Sequence, residues 1–192
     1  MRAVVIALGV SLAVAASADA AGYVPTPIGV GPLFHPRAAP VGVLHGRPIG
    51  AFRCRTTSAR FGVHVELFAR ARVVIVPAGI GVARPFARDG AFVRPRGCTY
   101  PVRTLDPTGV VEVERRGAHT LGDLFRVWGQ PLSPTRLAGF RTPARHPVRA
   151  YVAGRRWQGA LRAVPLRRHA AIALELGRYI QPHRLFLFRP GL

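Results

Sequence analysis

An α+β domain is expected, with a β-rich mixed or antiparallel sheet built from hairpins and covered by one helix, and three stretches carry that expectation. Val63, Val65 and Leu67 alternate with His64, Glu66 and Phe68. Leu121, Leu124, Phe125 and Trp128 recur on one helical face, and Ile172, Leu174 and Leu176 alternate with Ala173 and Glu175. A β-grasp-like arrangement is the first reading of this pattern. A helix-capped β-sandwich is the alternative.

The period of two over residues 63–68 predicts a half-buried strand. A short basic turn, Ala69 to Arg72, leads to Val73–Val76 and then Pro77-Ala78-Gly79, so the two strands form a hairpin. A third strand falls at Val110–Glu114, with Val111 and Val113 on one face and Glu112 and Glu114 on the other. Thr120 is a fitting helix N-cap. Asp123 stands in the capping-box position, one methylene short of the usual Glu. Gly129 provides the C-terminal stop and Pro131 forbids continuation. The aromatic stripe of this helix reads as core packing rather than as a ligand groove. Further on, Val148–Ala153 forms a strand, Gly154-Arg155-Arg156 turns, and residues 172–176 return. Leu185-Phe186-Leu187-Phe188 is expected to add an edge strand, with a partner-binding segment as the other reading.

Before residue 51 the chain has other properties. Met1-Arg2, the apolar run Ala3–Ala16 and the small residues Ala18 and Ala20 form the three parts of a secretory signal peptide, cleaved after Ala20. At about 14 residues the run is shorter than the roughly 20 needed to span a bilayer, and an uncleaved membrane anchor is the alternative reading. Residues 21–50 are rich in Pro and Gly and show no period, so a flexible linker is expected there. The single α+β domain is then placed at 51–192. Export makes the only cysteines, Cys54 and Cys98, an expected disulfide pair, worth about 4 kcal/mol in the loop-closure model, with a pair of free thiols as the alternative. Their spacing is unlike a C-x-x-C redox motif.

The 192 residues include 28 Lys+Arg, all of them Arg, against 8 acids, for a formal charge of +20. With 49% hydrophobic residues the chain is too apolar for a disordered basic tail. The arginines are scattered, with only the doublets Arg115-Arg116, Arg155-Arg156 and Arg167-Arg168. Without a longer run or interleaved aromatics, specific nucleic-acid binding is disfavoured. Lys and Asn, whose codons are adenine-rich, are both absent, so a GC-rich coding sequence accounts for much of the Arg. An affinity for anionic envelope components is the functional reading of the same charge, with a protein partner as another.

Candidate chemistry is sparse. His64 and Glu66 share a strand face, and Glu112 and Glu114 share another. If those strands pair with the faces aligned, His64 and the carboxylates, with Asp106, could hold a ligand or a metal ion. A solvated face carrying Arg partners is the plainer alternative. His64-Val65-Glu66 resembles the H-x-E of zinc deaminases, but the P-C-x-x-C that completes such sites is missing. The mature serines Ser58 and Ser133 lie outside any G-x-S-x-G, and neither a P-loop nor a dinucleotide fingerprint is present. Glu175 joins the other acids as a formal candidate for a carboxylate pair, yet ion pairing with Arg is the simpler role. A non-catalytic domain without a cofactor is expected. The alternative is a metal-binding protein in which His64 is the one ligand candidate retained.

The segments Phe61–Phe68, Val76-Pro77-Ala78-Gly79-Ile80-Gly81, Cys98-Thr99-Tyr100-Pro101, Thr108–Glu114, Thr120–Phe125 and Val127-Trp128-Gly129-Gln130-Pro131-Leu132 run in an order that resembles a group of small exported bacterial proteins of unknown function. The resemblance spans roughly 130 residues. Related members carry H-x-H in the first segment and H-T-H-D after the cysteine, which implies a metal or anion site on the sheet. Here Gly62 takes the first of these histidine positions, and the second motif reads Arg103-Thr104-Leu105-Asp106. The resemblance therefore implies the fold and export, with most of the histidine site lost.

Overall fold

The computed structural model describes residues 31–36, 41–56, 59–177 and 186–192. The expected signal peptide, residues 1–20, and residues 21–30 and 37–40 of the expected linker lie outside these residues. In chain order the elements are β1 (Leu33–Phe34), α1 (Val41–Leu44), β2 (Arg60–Ala69), β3 (Arg72–Val74), β4 (Phe86–Asp89), β5 (Phe92–Pro95), β6 (Val102–Arg103) and β7 (Val110–Glu114). They continue with α2 (Leu121–Trp128), β8 (Leu132–Ser133), β9 (Arg136–Leu137), β10 (Phe140–Arg141), β11 (Arg149–Val152), β12 (Arg155–Arg156) and β13 (Ala171–Leu176). The fold is α+β, β-rich, with one mixed main sheet.

In that sheet β2 is central. It pairs antiparallel with β3 across the Arg70-Ala71 turn, parallel with β13, and antiparallel with β7 through its first half. The path runs β1-β3-β2-β13-β11-β12, with β7 and β6 beside the start of β2. Arg70 and Ala71 both have positive φ (51° and 58°), the mirror-image turn whose twist suits a two-residue hairpin. Ala153 and Gly154 repeat that geometry between β11 and β12. Arg155 and Arg156 are accordingly strand residues, whereas the sequence pattern had assigned them to the turn.

One face of the sheet carries Val63, Val65, Leu67, Val111, Val113, Ile172 and Leu174 and receives α2. Leu121, Leu124, Phe125, Val127 and Trp128 are all fully buried there. At the start of the helix the Thr120 amide donates to Asp123 Oδ2 at 2.9 Å, so the shorter acid does close the capping contact. At its end Gly129 adopts φ 72°, and the Gln130 amide reaches back to the Phe125 carbonyl. That left-handed stop explains the Trp128-Gly129-Gln130-Pro131 order.

The other face is where expectation and structure part. Period two predicted β2 to be half-buried, yet its residues are buried on both faces apart from Phe61, which is partly so. His64, Glu66 and Glu112 are no more than 5% exposed, and Glu175 is fully buried. A polar residue inside a strand thus marks a second covered face here, not solvent.

The expected 21–50 linker also needs correcting where it is described. β1 pairs in parallel with β3, and Val43 in α1 is 1% exposed. The Arg84 amide donates to the Leu44 carbonyl, and Gly46 packs on the Cys54–Cys98 disulfide, whose Cα atoms are 5.3 Å apart. The folded unit begins by Leu33, because this segment docks through backbone hydrogen bonds and single apolar anchors that leave no period in the sequence. The tail differs as well. Phe186, Leu187 and Phe188 lie outside any strand; Phe186 and Phe188 cover the second sheet face while Leu187 is 94% exposed, and Leu185 falls outside the described residues.

Candidate functional site

The second face of the sheet gathers most of the charged residues singled out from the sequence. The register sets Glu112 opposite Gly62, Glu114 opposite Arg60 and Val110 opposite His64, so the faces align as the ligand reading required. What fills the space between them is Arg and aromatic rings.

Glu112 is the hub. Arg103 donates to its Oε2 from Nε at 2.8 Å and from a terminal nitrogen at 2.6 Å, while Arg189 of the tail engages Oε1. Two guanidiniums on one buried carboxylate satisfy it without a metal ion. Asp106 turns inward to its own loop, and its Oδ1 accepts from the Thr108 amide at 3.1 Å and from the Thr108 hydroxyl. Glu175, on β13, lies 3.8 Å from Arg149. Glu66 is buried opposite Ala173, and Glu114 is half-buried at the end of β7.

His64 is fully buried, with Nε2 donating to the Thr108 carbonyl at 3.1 Å. In the neutral ring the lone pair then lies on Nδ1. Its ring stacks on Phe186, centroids 4.1 Å apart and nearly parallel, and His169 stacks on Phe188 at 4.7 Å. The Phe188 ring occupies the space above Gly62, where a Cβ would come within 2.5 Å of it. Among the described residues no group of three His, Cys, Asp or Glu side chains is arranged to hold a metal ion.

Arg60 crosses the strand ends beneath this cluster. It donates to Thr99 Oγ1 and to the Tyr100 carbonyl at 3.0 Å each, and to the Pro101 carbonyl at 3.0 Å. Burial, then the neighbouring Arg103, lower its pKa to about 10, opposed by Glu112 and Glu114, so it remains charged at neutral pH.

A second place was not read from the sequence. Arg145, His146, Arg149, Arg156, Pro147 and Gly177 line a cleft of about 240 Å³ at the β11–β12 end of the sheet. The Arg155-Arg156 doublet was visible in the chain. Its approach to Arg149 depends on the Ala153-Gly154 turn, which sets Arg156 opposite Tyr151, on the same face as Arg149.

The resemblance segments have local structural duties. Ile80 accepts from the Thr104 amide at 3.0 Å, and Gly81 accepts from that of Tyr100 at 2.9 Å. Gly81 has φ 67°, and its Cβ position is filled by the Val102 backbone, so only glycine fits. No family model, curated protein or solved structure matches the chain. Among the described residues no helix is long and apolar enough to cross a membrane.

Proposed function

We propose that this chain is an exported, non-catalytic domain of the cell envelope that associates with anionic surfaces through its exterior. One observation carries the reading: acids and arginines are segregated by depth. Every acidic residue except Asp19 is among the described residues, and of these only Asp89 is exposed, paired with Arg94 at 2.5 Å. Glu66, Asp106, Glu112 and Glu175 are buried. Arginines stand exposed from Arg47 to Arg189. Codon bias accounts for many arginines but not for acids being interior. The outside is therefore more positive than the sequence total implies, and such a surface concentrates near anionic partners.

Export is supported by the leader pattern and by the disulfide, which persists in oxidising compartments. The grasp-like reading of the fold is supported by the β3-β2-β13-β11 order, with β2 and β13 parallel at the centre and α2 between the two hairpins in sequence. Kinship with the small exported bacterial proteins rests on the P-A-G-I-G and W-G-Q-P-L segments of the sequence alone.

The test is fractionation of the protein expressed with its leader. It is expected to sediment with the envelope and to be released by high salt without detergent. Recovery from the soluble fraction at low ionic strength would defeat the reading.

A further inference from the structure

The cleft bounded by Arg145, Arg149 and Arg156 is built differently from the rest of the basic surface. Three arginines converge there with His146 around one concavity. Arg149 is the fixed member. Its side chain is 31% exposed, one terminal nitrogen donates to the Gly177 carbonyl at 2.6 Å, and the same nitrogen lies 3.8 Å from fully buried Glu175. Its Nε is buried with no hydrogen-bond partner among the described residues.

The walls are held too. The loop before β11 is pinned where Thr142 donates from its hydroxyl to the His146 carbonyl at 2.7 Å and the Val148 amide donates to the Pro134 carbonyl at 2.8 Å. Arg156 is carried by the tight hairpin, and both it and Arg145 are exposed. Among the described residues no carboxylate lines the cleft, and Glu175 lies beneath Arg149.

We infer that this cleft is a binding site for a phosphate group. A tetrahedral oxyanion presents several acceptors to convergent guanidiniums, and Arg forks match that geometry in a way a diffuse positive surface does not. The inference rests on the anionic-surface reading and narrows it to one place and one chemistry. The phosphate is either free or carried by a lipid headgroup.

Two probes separate those sources: inorganic pyrophosphate, followed by calorimetry, and phosphatidylglycerol vesicles, followed by sedimentation. The double variant Arg145→Gln/Arg156→Gln leaves Arg149 and Glu175 in place. The control Arg96→Gln/Arg116→Gln removes the same charge from exposed positions outside the cleft. The cleft variant is expected to bind roughly tenfold more weakly, the loss of two charge-assisted contacts, and the control to change less than about twofold. Selective loss with pyrophosphate alone assigns free phosphate; selective loss with vesicles assigns the headgroup. Equal losses in both double variants would overturn the cleft and leave the anionic-surface reading intact. A wild-type protein that binds neither probe at low salt would overturn both. Unchanged thermal midpoints exclude misfolding as the cause.

Discussion

Tyr100 shows how one residue ties the N-terminal segment to the sheet. It is fully buried, and its hydroxyl donates to the Arg47 carbonyl across a stretch without any periodic sign of folding. Burial raises its pKa above the ordinary 10. The unfolded chain therefore ionises first, so the stability contributed by the neutral phenol is complete below about pH 10 and declines as pH rises beyond it. Arg60 works in the opposite sense over the same range. Burial lowers its folded pKa to about 10, below that of a free guanidinium, so the unfolded chain holds the proton longer and stability rises with pH. Comparing wild type with Tyr100→Phe cancels the Arg60 contribution. At pH 8 the variant is expected to be less stable by about 1 kcal/mol, the worth of a buried hydrogen bond. That gap should narrow above pH 10, as read by urea denaturation. A gap independent of pH would contradict the assignment.

Among the elements, the C-terminal strap and the sheet face beneath it depend on each other. Gly62 leaves room for the Phe188 ring, His64 and His169 stack on the two phenylalanines, and Arg189 closes on Glu112. Gly62→Ala places a methyl against that ring. Residues 186–192 should then exchange their amides faster, with a global cost of about 1 kcal/mol from overpacking, while α2 is untouched. Hydrogen exchange resolves this, and unchanged protection in the strap would show that Phe188 is not held there. The same region marks the limit of what the sequence could disclose. The hairpin at β2–β3, strand β7, helix α2 and strand β13 were legible because each has an apolar side with a clear period. The buried second face was not, because Glu112 is interior only through Arg103 and Arg189, distant in sequence. Residues 33–36 and 41–50 hid themselves because Pro and Gly signal turns whether or not the turns dock on a core. The Arg cleft was illegible until the hairpin register was known.

At the level of the whole molecule, the Cys54–Cys98 link closes a loop of 44-residue separation, worth about 4 kcal/mol in unfolded-chain entropy. It also fastens the N-terminal segment at Gly46, so the basic surface is presented on a cross-linked body. The molecule spends its few acids internally and presents arginine outward, and the functional account rests on that division. The most direct measurement is sedimentation of the mature protein with phosphatidylglycerol and with phosphatidylcholine vesicles over a series of salt concentrations. Binding to phosphatidylglycerol alone, weakening steeply between about 50 and 200 mM salt, is the predicted result, because screening removes attraction between exposed charges. Equal binding to both lipids, or binding indifferent to salt, would contradict the claim that surface charge directs this protein.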